Sequence, residues 1–467
     1  MAQRNTRKVS GNKTVHIGSG AGFAGDRFDA AVAVVDTLLQ FDGPRYLIYE
    51  VMGERTLAIA QRLKKENPQA GYSPWLDIYL PQVLKKCIRH KIKIVANFGN
   101  ANPAAAASRT LVLAKELGID SLRVGVVTGD DLLERMSPEQ ISHLSTIEGT
   151  DVKDRELLAA NAYIGARSVA EAIGLGVDIV LVGRTTDAAL VLGPLMHEFG
   201  WTPDNYRCLA GGTLAGHVLE CGGQVTGGYF ADPGQKEVPD LHRLGFPIAE
   251  VDSNGEFTIC KAENTGGIVT KATVTEQMLY EIHNPGEYLT PDVTLDINNV
   301  SLHEIGADRI RVTGAQGKAP PDTLKVTLSV DGGWLGESEI SYAGVNALAR
   351  ARLAATIVRK RLEHLGVGET CRIEIIGSGV VHDNDQGSLF DPNALSADGE
   401  YRLRLAVRSP TKAGVQKPCD EVLALYCCGP AAGGGVRQSV TPQVSTASIL
   451  MDRGLIEPGV TAREVKT

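Results

Sequence analysis

The stretch TVHIGSGAGFAGDRFD (Thr14–Asp29) contains the pattern that decides the fold of this chain. An apolar run suited to a buried strand, Thr14–Ile17, leads directly into a glycine-rich loop, and helical periodicity follows over Asp29–Gln40. A strand, a loop and a helix in this order are typical of the repeating unit of a parallel sheet. The sequence therefore predicts an α/β fold whose first strand begins at Thr14.

Further apolar runs repeat this pattern, each ending in glycine or polar residues. They are Tyr46–Tyr49 before Glu50, Lys91–Ala96 before NFGNANP, Leu122–Val127 before TGDD, and Asp178–Val182 before GRTTDA. A helix is predicted over Ala104–Leu117 between two of them. Because loops at the carboxyl ends of parallel strands gather at one edge, where ligands bind, we expect these loops to border a single cleft. The predicted loops begin at Gly18, Glu50, Asn97, Thr128 and Gly183. An enzyme is the leading interpretation.

Length and composition predict more than one domain, because 467 residues exceed one ordinary core. We expect a flexible leader over residues 1–13 and an α/β domain with a parallel sheet over residues 14–300. Residues 209–298 form a glycine-rich segment of that domain, and residues 301–467 are predicted to form an α+β domain. A long stretch without a predicted strand, Asp130–Arg167, is interpreted as an excursion over the edge of the sheet.

The C-terminal domain is predicted from a change of pattern after residue 300. A helix is expected over Gly344–Leu365, followed by the strands CRIEIIG and YRLRLAVR. The segment VLALYCC is predicted to be the last strand, and the loop GPAAGGG and a terminal helix are expected after it.

Charge and cysteine content exclude several classes of protein. A formal net charge of −8 and a pI near 5.8 argue against a nucleic-acid binder, which needs a basic face. No apolar run approaches the roughly 18–20 residues of a membrane helix. The eight cysteines are scattered and form no CxxC pair, which favours reduced thiols. We expect a cytoplasmic homo-oligomer that binds neither nucleic acid nor membrane.

The loop GAGFAG, residues 20–25, matches the GxGxxG pattern of dinucleotide-binding proteins. Two features oppose this interpretation. Asp26, predicted at the helix start, would occupy the place of a phosphate, and Glu50 lies beyond the usual offset of about 20 residues. The alternatives are a tight turn that approaches a ligand, or a plain turn with Asp26 as helix cap. The candidate ligand-binding residues of this loop are Gly20, Gly22, Asp26 and Arg27.

Carboxylates and one histidine are candidate acid–base groups. Glu50 ends the second strand and Glu54 follows it, and two nearby carboxylates can divide the acid and base roles. An ion pair with Arg55 is the structural alternative. His217 and Glu220 lie on one face if their segment is helical, which suits an acid–base pair as well as a metal site. Since no second histidine has metal-ligand spacing, we expect no zinc and predict these four residues to be catalytic; a structural role for His217 remains open.

The sequence NFGNANP is a candidate substrate-binding turn. It places Asn97, Asn100 and Asn102 around the end of the third strand, with Pro103 at the first position of a helix. Asparagine side chains offer donors and acceptors without charge, which suits a carboxylate or hydroxyl ligand. The alternative is that the asparagines bind their own backbone in Asx turns.

The loops TGDD and GRTTDA add carboxylates and an arginine. Asp130 and Asp131 are suited to Mg²⁺ or Ca²⁺, although nothing fixes a ligand set and one of them is expected to cap a helix. Arg184 is predicted to bind a carboxylate or phosphate of the substrate, because its guanidinium can pair with both oxygens. Asp187 either joins this site or caps the following helix.

Several of these segments together resemble a known family. They are GAGFAGDRFDAA, ERTLA, NFGNANP, VVTGDD, GRTTDAALVLGPLMHEFGW, AGHVLECGGQVTGGYF and TGGIVTKATVTEQMLYEIHNPGEYLTPDV. From about residue 14 to residue 300 the chain resembles the acyclic terpene utilisation (AtuA-like) family. Its members are associated with the breakdown of citronellol- and geraniol-type acids as coenzyme A thioesters, and many belong to other catabolic pathways. Where related proteins often have an RSGDKG-type sequence, this chain reads RSPTKAG (Arg408–Gly414), so the resemblance implies a class of pathway more than a reaction.

These observations predict an enzyme that acts on a small organic acid or an acyl-CoA. A lyase is favoured, either a hydratase or dehydratase or an enzyme of carbon–carbon cleavage, because acid–base groups and an anion-binding arginine suffice for such a reaction. Arg184 and Arg27 are the expected anion-binding residues. No cofactor pattern is convincing; Mg²⁺ or Ca²⁺ and a coenzyme A thioester substrate stay open. The alternatives are an NAD(P)-dependent oxidoreductase that uses the GAGFAG loop and a non-catalytic ligand-binding subunit of a catabolic complex.

Overall fold

A computed structural model describes residues 13–153, 155–367, 371–377 and 398–466. Apart from Lys13, the predicted leader lies outside these residues. The chain divides into two compact units, one formed by Met1–Ser329 with Thr446–Thr467 and the other by Val330–Ser445. The first unit therefore extends beyond residue 300 and includes a second segment that is far away in sequence.

The secondary structure alternates regularly in the first half of the chain and is rich in strands in the second half. The helices are α1 (Ala30–Leu38), α2 (Glu54–Glu66), α3 (Leu76–Arg89), α4 (Pro103–Glu116), α5 (Pro138–Ser142), α6 (Arg167–Gly174), α7 (Ala189–Phe199), α8 (Tyr206–Glu220), α9 (Lys271–Leu279), α10 (Ala347–His364), α11 (Lys412–Leu423) and α12 (Leu425–Cys428). The strands are β1 (Thr14–Ser19), β2 (Arg45–Tyr49), β3 (Lys93–Ala96), β4 (Ser121–Thr128), β5 (Leu157–Ala162), β6 (Ile179–Val182), β7 (Pro247–Asp252), β8 (Phe257–Lys261), β9 (Tyr288–Leu289), β10 (Thr294–Asp296), β11 (Ser301–Gly306), β12 (Arg309–Thr313), β13 (Gln316–Lys318), β14 (Thr323–Gly344), β15 (Cys371–Ile376), β16 (Gly399–Ser409), β17 (Gly434–Asp452) and β18 (Gly459–Lys466).

The first unit contains a large mixed sheet with the strand order β11-β12-β8-β7-β1-β2-β3-β6-β4-β18. The neighbouring strands from β1 to β4 in this order run parallel, and they are the strands predicted from the apolar runs. β7 pairs antiparallel with β1 at one side, and β18 pairs antiparallel with β4 at the other. The α/β fold is thus confirmed, but the sheet is mixed, because strands from later parts of the chain extend it on both sides.

The register of the parallel strands aligns their carboxyl ends. Tyr49 of β2 lies beside Ala96 of β3, and Ala96 lies beside Leu181 of β6. All residues of β6 are buried, as expected for a central strand whose two faces are covered by helices. The polar residues that follow β1, β2 and β6 are therefore brought to the same edge of the sheet.

The glycine-rich segment belongs to the first unit and contributes a central helix. α8 contains Gly211, Gly212 and Gly216. A Cβ atom on Gly211 would lie 2.0 Å from the Gly255 carbonyl oxygen, and one on Gly216 would lie 2.7 Å from the Cα of Ala188. The glycines cost helix propensity, and here they allow neighbouring backbone to approach α8 closely.

The second unit is an α+β structure with a sheet in the order β15-β16-β14-β17. β14 and β16 pair antiparallel from Trp334–Ser409 to Gly344–Gly399, and the core includes Ile340, Leu403 and Val358 of α10. The predicted helix and the first two predicted strands of this region correspond to α10, β15 and β16.

Two predictions near the C-terminus are wrong. The segment VLALYCC is helical, at the end of α11 and in α12, because Val422 and Leu425 are buried three residues apart on one face. The expected terminal helix is replaced by the strands β17 and β18. In β17, Ala447, Ile449 and Met451 are buried at every second residue, which is the period of a strand. None of the helices in the described residues is long and apolar enough to cross a membrane.

Candidate active site

A cavity of about 860 Å³ lies in the first unit where β1, β2 and β6 end. Its volume is in the range of small-molecule sites, which is roughly 300–1,000 Å³. Residues of three predicted loops line it, including Gly22 after β1, Glu50 after β2 and Arg184 after β6. The loops that begin at Asn97 and Thr128 do not line the cavity. They lie behind it, where Asn97 and Asp130 bind residues of the lining loops.

Glu50 is a buried carboxyl group on the cavity wall. Its Oε1 atom accepts a hydrogen bond from the Met52 amide at 2.9 Å and another from Asn97 Nδ2 at 2.9 Å. Asn97 is held in turn, because its Oδ1 atom accepts from the Val51 amide at 2.8 Å. Burial, together with the nearby Asp187 carboxylate, raises the pKa of Glu50 well above its usual value, and the hydrogen bonds and Arg184 offset only part of this. Glu50 is thus a carboxyl group on the cavity wall that is held by two hydrogen bonds and has a raised pKa.

Arg184 forms part of the cavity wall and is only 1% exposed. Its Nε atom donates to the Thr185 carbonyl at 2.7 Å, Nη1 donates to the Met52 carbonyl at 3.1 Å, and Nη2 forms an ion pair with Asp187. Asp187 does not cap α7, which begins after Ala188 without a side-chain cap. Burial opposes the charge of Arg184, but Asp187 and further acidic groups raise its pKa. The predicted anion-binding arginine thus has an internal carboxylate partner.

Asp130 supports the backbone beneath Arg184. Its Oδ2 atom accepts from the Arg184 amide at 2.9 Å and from Asn161 Nδ2 at 2.8 Å. Burial raises the pKa of Asp130 to about 6, although both hydrogen bonds favour the charged form. Asp131 caps a short 3₁₀ turn through the Leu133 amide. Both aspartates therefore have partners within the protein.

A cluster of Glu54, Tyr163 and Lys325 forms another part of the wall. The Tyr163 hydroxyl donates to Glu54 Oε1, and the Lys325 Nζ atom lies 3.7 Å from the same oxygen. Two cations contact the Tyr163 ring, with the Arg184 guanidinium 4.4 Å and the Lys325 ammonium 4.9 Å from its centre. Burial opposes the charge of Glu54, but Tyr163, Arg184 and Lys325 lower its pKa. Glu54 and Glu50 therefore have opposite pKa shifts.

His217 and Glu220 form a buried pair on α8, as the predicted helical spacing required. His217 Nδ1 lies 2.9 Å from Glu220 Oε1, an ion-pair contact without the alignment of a good hydrogen bond. Glu220 lines the cavity, whereas His217 lies behind it, near the Tyr288 ring. Burial raises the pKa of Glu220, and Glu220 raises the pKa of His217 against the opposing effect of burial. Glu220 is thus the member of the pair that can contact a ligand.

The glycine-rich loop after β1 binds its own aspartate. Asp26 is not at the helix start, because α1 begins at Ala30; it accepts from the amides of Gly22 and Arg27 at 2.8 and 2.7 Å. Burial raises the pKa of Asp26. A Cβ atom on Gly22 would lie 2.2 Å from the backbone carbon of Cys221, so the loop packs against the chain itself. The loop uses its amides and its close approach for internal contacts.

Gly20 and Arg27 of the glycine-rich loop differ in whether they line the cavity. Gly20 does not line the cavity, and a Cβ atom there would lie 2.6 Å from the Tyr49 ring. Arg27 lines the cavity, and its guanidinium donates to the carbonyl oxygens of Leu241 and His242 at 3.2 and 3.1 Å. Of these two residues, only Arg27 can contact a ligand in the cavity.

The remaining asparagines of NFGNANP have structural contacts. Asn102 caps α4, which begins at Pro103 as predicted, and its Nδ2 atom donates to the carbonyl oxygens of Pro68 and Ala70 at 2.9 and 2.8 Å. Asn100 is buried with a positive φ of 48° and does not line the cavity. The structure thus places the predicted asparagine cluster behind the site.

The described residues contain no group of three or more histidine, cysteine, aspartate or glutamate side chains arranged to hold a metal ion. Asp130 and Asp131, the predicted ligands of Mg²⁺ or Ca²⁺, bind Arg184, Asn161, Leu133 and Gln61 instead.

Sequence analysis missed several residues of the wall. Tyr163 directly follows β5 in the stretch predicted as an excursion over the sheet edge. The sequence pattern therefore marked this stretch, but it did not mark Tyr163 itself. Lys325 is part of β14, and strand alternation does not reveal which residue meets a distant loop. Glu281 lies in irregular chain after α9 and Tyr288 in the two-residue strand β9, where no local pattern marks a site.

Comparisons with curated proteins and with solved structures give no match. A family model described as acyclic terpene utilisation family protein AtuA matches residues 15–462. This match includes the C-terminal region, whereas the resemblance of sequence motifs extended only to about residue 300. Because the model covers nearly the whole sequence, the chain belongs to the acyclic terpene utilisation (AtuA) family.

Proposed function

We propose that this protein is an enzyme that acts on a small organic acid or an acyl derivative by general acid–base catalysis. A lyase reaction, either addition and removal of water or carbon–carbon cleavage, suits the cavity best. The observation that carries the proposal is Glu50, a buried carboxyl group on the cavity wall whose pKa is raised. A raised pKa brings a carboxyl group closer to the pH at which it can both release and accept a proton.

The addition of water to an acyl compound with a conjugated double bond needs two proton transfers. A base takes a proton from the water while its oxygen bonds to the β-carbon, and an acid delivers a proton to the α-carbon. Glu50 and Glu220 both line the cavity and both have raised pKa values, so they are the proposed pair of proton carriers. His217 would position Glu220, because its Nδ1 atom contacts that carboxylate on the side away from the cavity.

Arg184 is proposed to bind the carbonyl oxygen of the substrate. A guanidinium has five N–H donors, and the contacts to Thr185, Met52 and Asp187 leave donors for a ligand. A donor directed at this oxygen would stabilise the enolate that forms when the adjacent carbon loses or gains a proton.

The glycine-rich loop does not favour the oxidoreductase alternative. In a dinucleotide site the loop amides bind the pyrophosphate and the bare glycines let it approach. Here the amides of Gly22 and Arg27 bind the Asp26 carboxylate, and Gly22 packs against Cys221. These contacts support a structural role for the loop.

The proposal is tested by incubating the purified protein with unsaturated and hydroxylated acyl thioesters and the matching free acids. Products are identified by mass spectrometry. Glu50→Gln should abolish most of the turnover, because the glutamine oxygen can keep both hydrogen bonds but cannot transfer a proton. Glu198→Gln is the matched control, since Glu198 binds Tyr46 and Lys13 and does not line the cavity. Unchanged turnover in Glu50→Gln, or ligand binding without any turnover, contradicts the proposal and favours a binding subunit.

A further inference from the structure

We infer that the cavity accepts its acyl ligand in a neutral form, as an ester, amide or thioester, and discriminates against the free carboxylate anion. The inference rests on the proposed function, because it names the substrate class of the same site. It is carried by the pairing of charges on the cavity wall.

The cavity wall is rich in acidic groups. Among the described residues that line it, six are aspartate or glutamate, three are lysine or arginine, and one is a histidine, His283. The acidic residues are Asp26, Glu50, Glu54, Asp187, Glu220 and Glu281, and the basic residues are Arg27, Arg184 and Lys325. An anion in this cavity would therefore meet more negative than positive groups.

Each cation of the wall already has an acidic neighbour. Arg184 is paired with Asp187, and the Lys325 Nζ atom lies 3.7 Å from Glu54 Oε1. Burial raises the pKa of Asp26, and the charge of the neighbouring Arg27 offsets only part of this, while the Arg27 guanidinium donates to two backbone carbonyl oxygens. Arg184 and Lys325 thus already have carboxylate partners, and the Arg27 guanidinium is held by backbone oxygens, so each of the three cations already has a partner in the protein.

Two further acidic groups of the wall, Glu220 and Glu50, differ in their partners. Glu220 has the His217 ring as its partner at 2.9 Å. Glu50 has no cation of its own, and burial favours its protonated form. A ligand carboxylate beside Arg184 would compete with Asp187 for the same guanidinium and would lie close to Glu50. A carbonyl oxygen needs only a donor and adds no charge, so it suits the free N–H groups of Arg184.

The charge pairing also argues against a cationic ligand. An amine would have to draw on Glu50 or Glu281, because Asp187, Glu54 and Glu220 contact Arg184, Lys325 and His217, and Asp26 accepts from two backbone amides. Glu281 is exposed, where an ion pair contributes little. Ionised Glu50 is disfavoured by burial. The neutral form is thus the one that leaves every existing pair intact.

The test compares hexanoate, hexanamide and hexylamine, which share one apolar chain and differ in charge. Binding to the full-length protein is measured by calorimetry at neutral pH. Hexanamide should bind at least about tenfold more tightly than hexanoate or hexylamine, which corresponds to roughly 1.4 kcal/mol or more. Equal or tighter binding of either ion, or saturable binding of none of the three, overturns the inference.

Asp187→Asn sharpens the test, because it frees the charge of Arg184. In this variant the preference for hexanamide over hexanoate should shrink at least several-fold, whereas Glu198→Gln should keep it. An unchanged preference in Asp187→Asn contradicts the argued cause. If that variant does not fold, the comparison in the unmodified protein decides. The outcome is separate from the acid–base proposal, since the amide preference can hold while Glu50→Gln retains turnover.

Discussion

Glu50 and Asp130 are two buried carboxyl groups that follow parallel strands of the same sheet, and burial raises the pKa of both. Their surroundings differ. Glu50 lies on the cavity wall and accepts hydrogen bonds from the Met52 amide and from Asn97, whereas Asp130 does not line the cavity and binds Asn161 and the Arg184 amide. A raised pKa alone therefore does not identify a catalytic group. Access to a ligand distinguishes the proposed proton carrier, Glu50, from the structural support, Asp130.

The largest expected difference between the two carboxyl groups is in turnover. Glu50→Gln should lower kcat by about a hundredfold to ten-thousandfold, the usual contribution of general acid–base catalysis. Asp130→Asn should lower it far less, because the asparagine oxygen can still accept from the Arg184 amide. Kinetics with the substrate found in the thioester screen would check both. Similar losses in the two variants would remove the proposed distinction.

The second difference is in the pH dependence of stability. Asp130 has a pKa of about 6 in the folded protein against an ordinary value of 3.8, so the folded state binds more protons between these pH values. The free energy of unfolding should therefore fall as the pH rises from about 4 to about 6, by up to roughly 3 kcal/mol for this group. Denaturant unfolding of Asp130→Asn across this range should show a flatter dependence. A slope equal to that of the unmodified protein would show that Asp130 is not protonated there.

The third prediction concerns Arg184, which lies near both Asp130 and Glu50. Its backbone amide binds Asp130, and its side chain lies on the cavity wall with Glu50. Arg184→Lys keeps the charge but loses the planar set of donors, so ligand binding should weaken about ten- to a hundredfold. Titration with hexanamide and a melting curve would separate the roles. Unchanged affinity with a markedly lower Tm would make Arg184 a structural residue only.

The smallest expected effect is at Asn97, which donates to Glu50. This hydrogen bond favours the charged carboxylate, so Asn97→Ala should raise the pKa of Glu50 further. A bond worth about 1 kcal/mol corresponds to a shift of roughly 0.7 pKa units. The limb of the pH–rate profile that reports Glu50 should move to higher pH by this amount. Asn102→Ala is the control from the same loop, and an equal shift there would point to a general loosening of the turn.

The strands and loops that frame the site could be predicted from the sequence because their signals are local. An apolar run followed by glycine or polar residues marked β1, β2, β3, β4 and β6. The antiparallel strands β7 and β18 could not be placed in the same sheet, because strand pairing depends on partners that are far away in sequence.

The candidate site was predictable to a similar extent. Glu50, Glu220 and Arg184 were identified as chemical groups, but their orientation towards the cavity was not, since it depends on how loops from different strands meet. The same pattern of a carboxylate after a strand gave Glu50 on the wall and Asp130 behind it. Tyr163 and Lys325 could not be predicted, because no local sequence pattern distinguishes a tyrosine after β5 or a lysine in β14. Both become part of the site only through their contacts with Glu54 in the folded chain.

The pairing of β18 with β4 has a consequence for biosynthesis. Gly459 lies beside Thr128, and the two residues are separated by 331 positions in the chain. While the ribosome is still adding that intervening sequence, β4 has its neighbour β6 on one side and an open edge on the other. Open edges recruit strands from other molecules, and such long-range pairing forms slowly. The nascent protein would therefore pass through an aggregation-prone intermediate until residues 459–466 have been synthesised and can pair with β4.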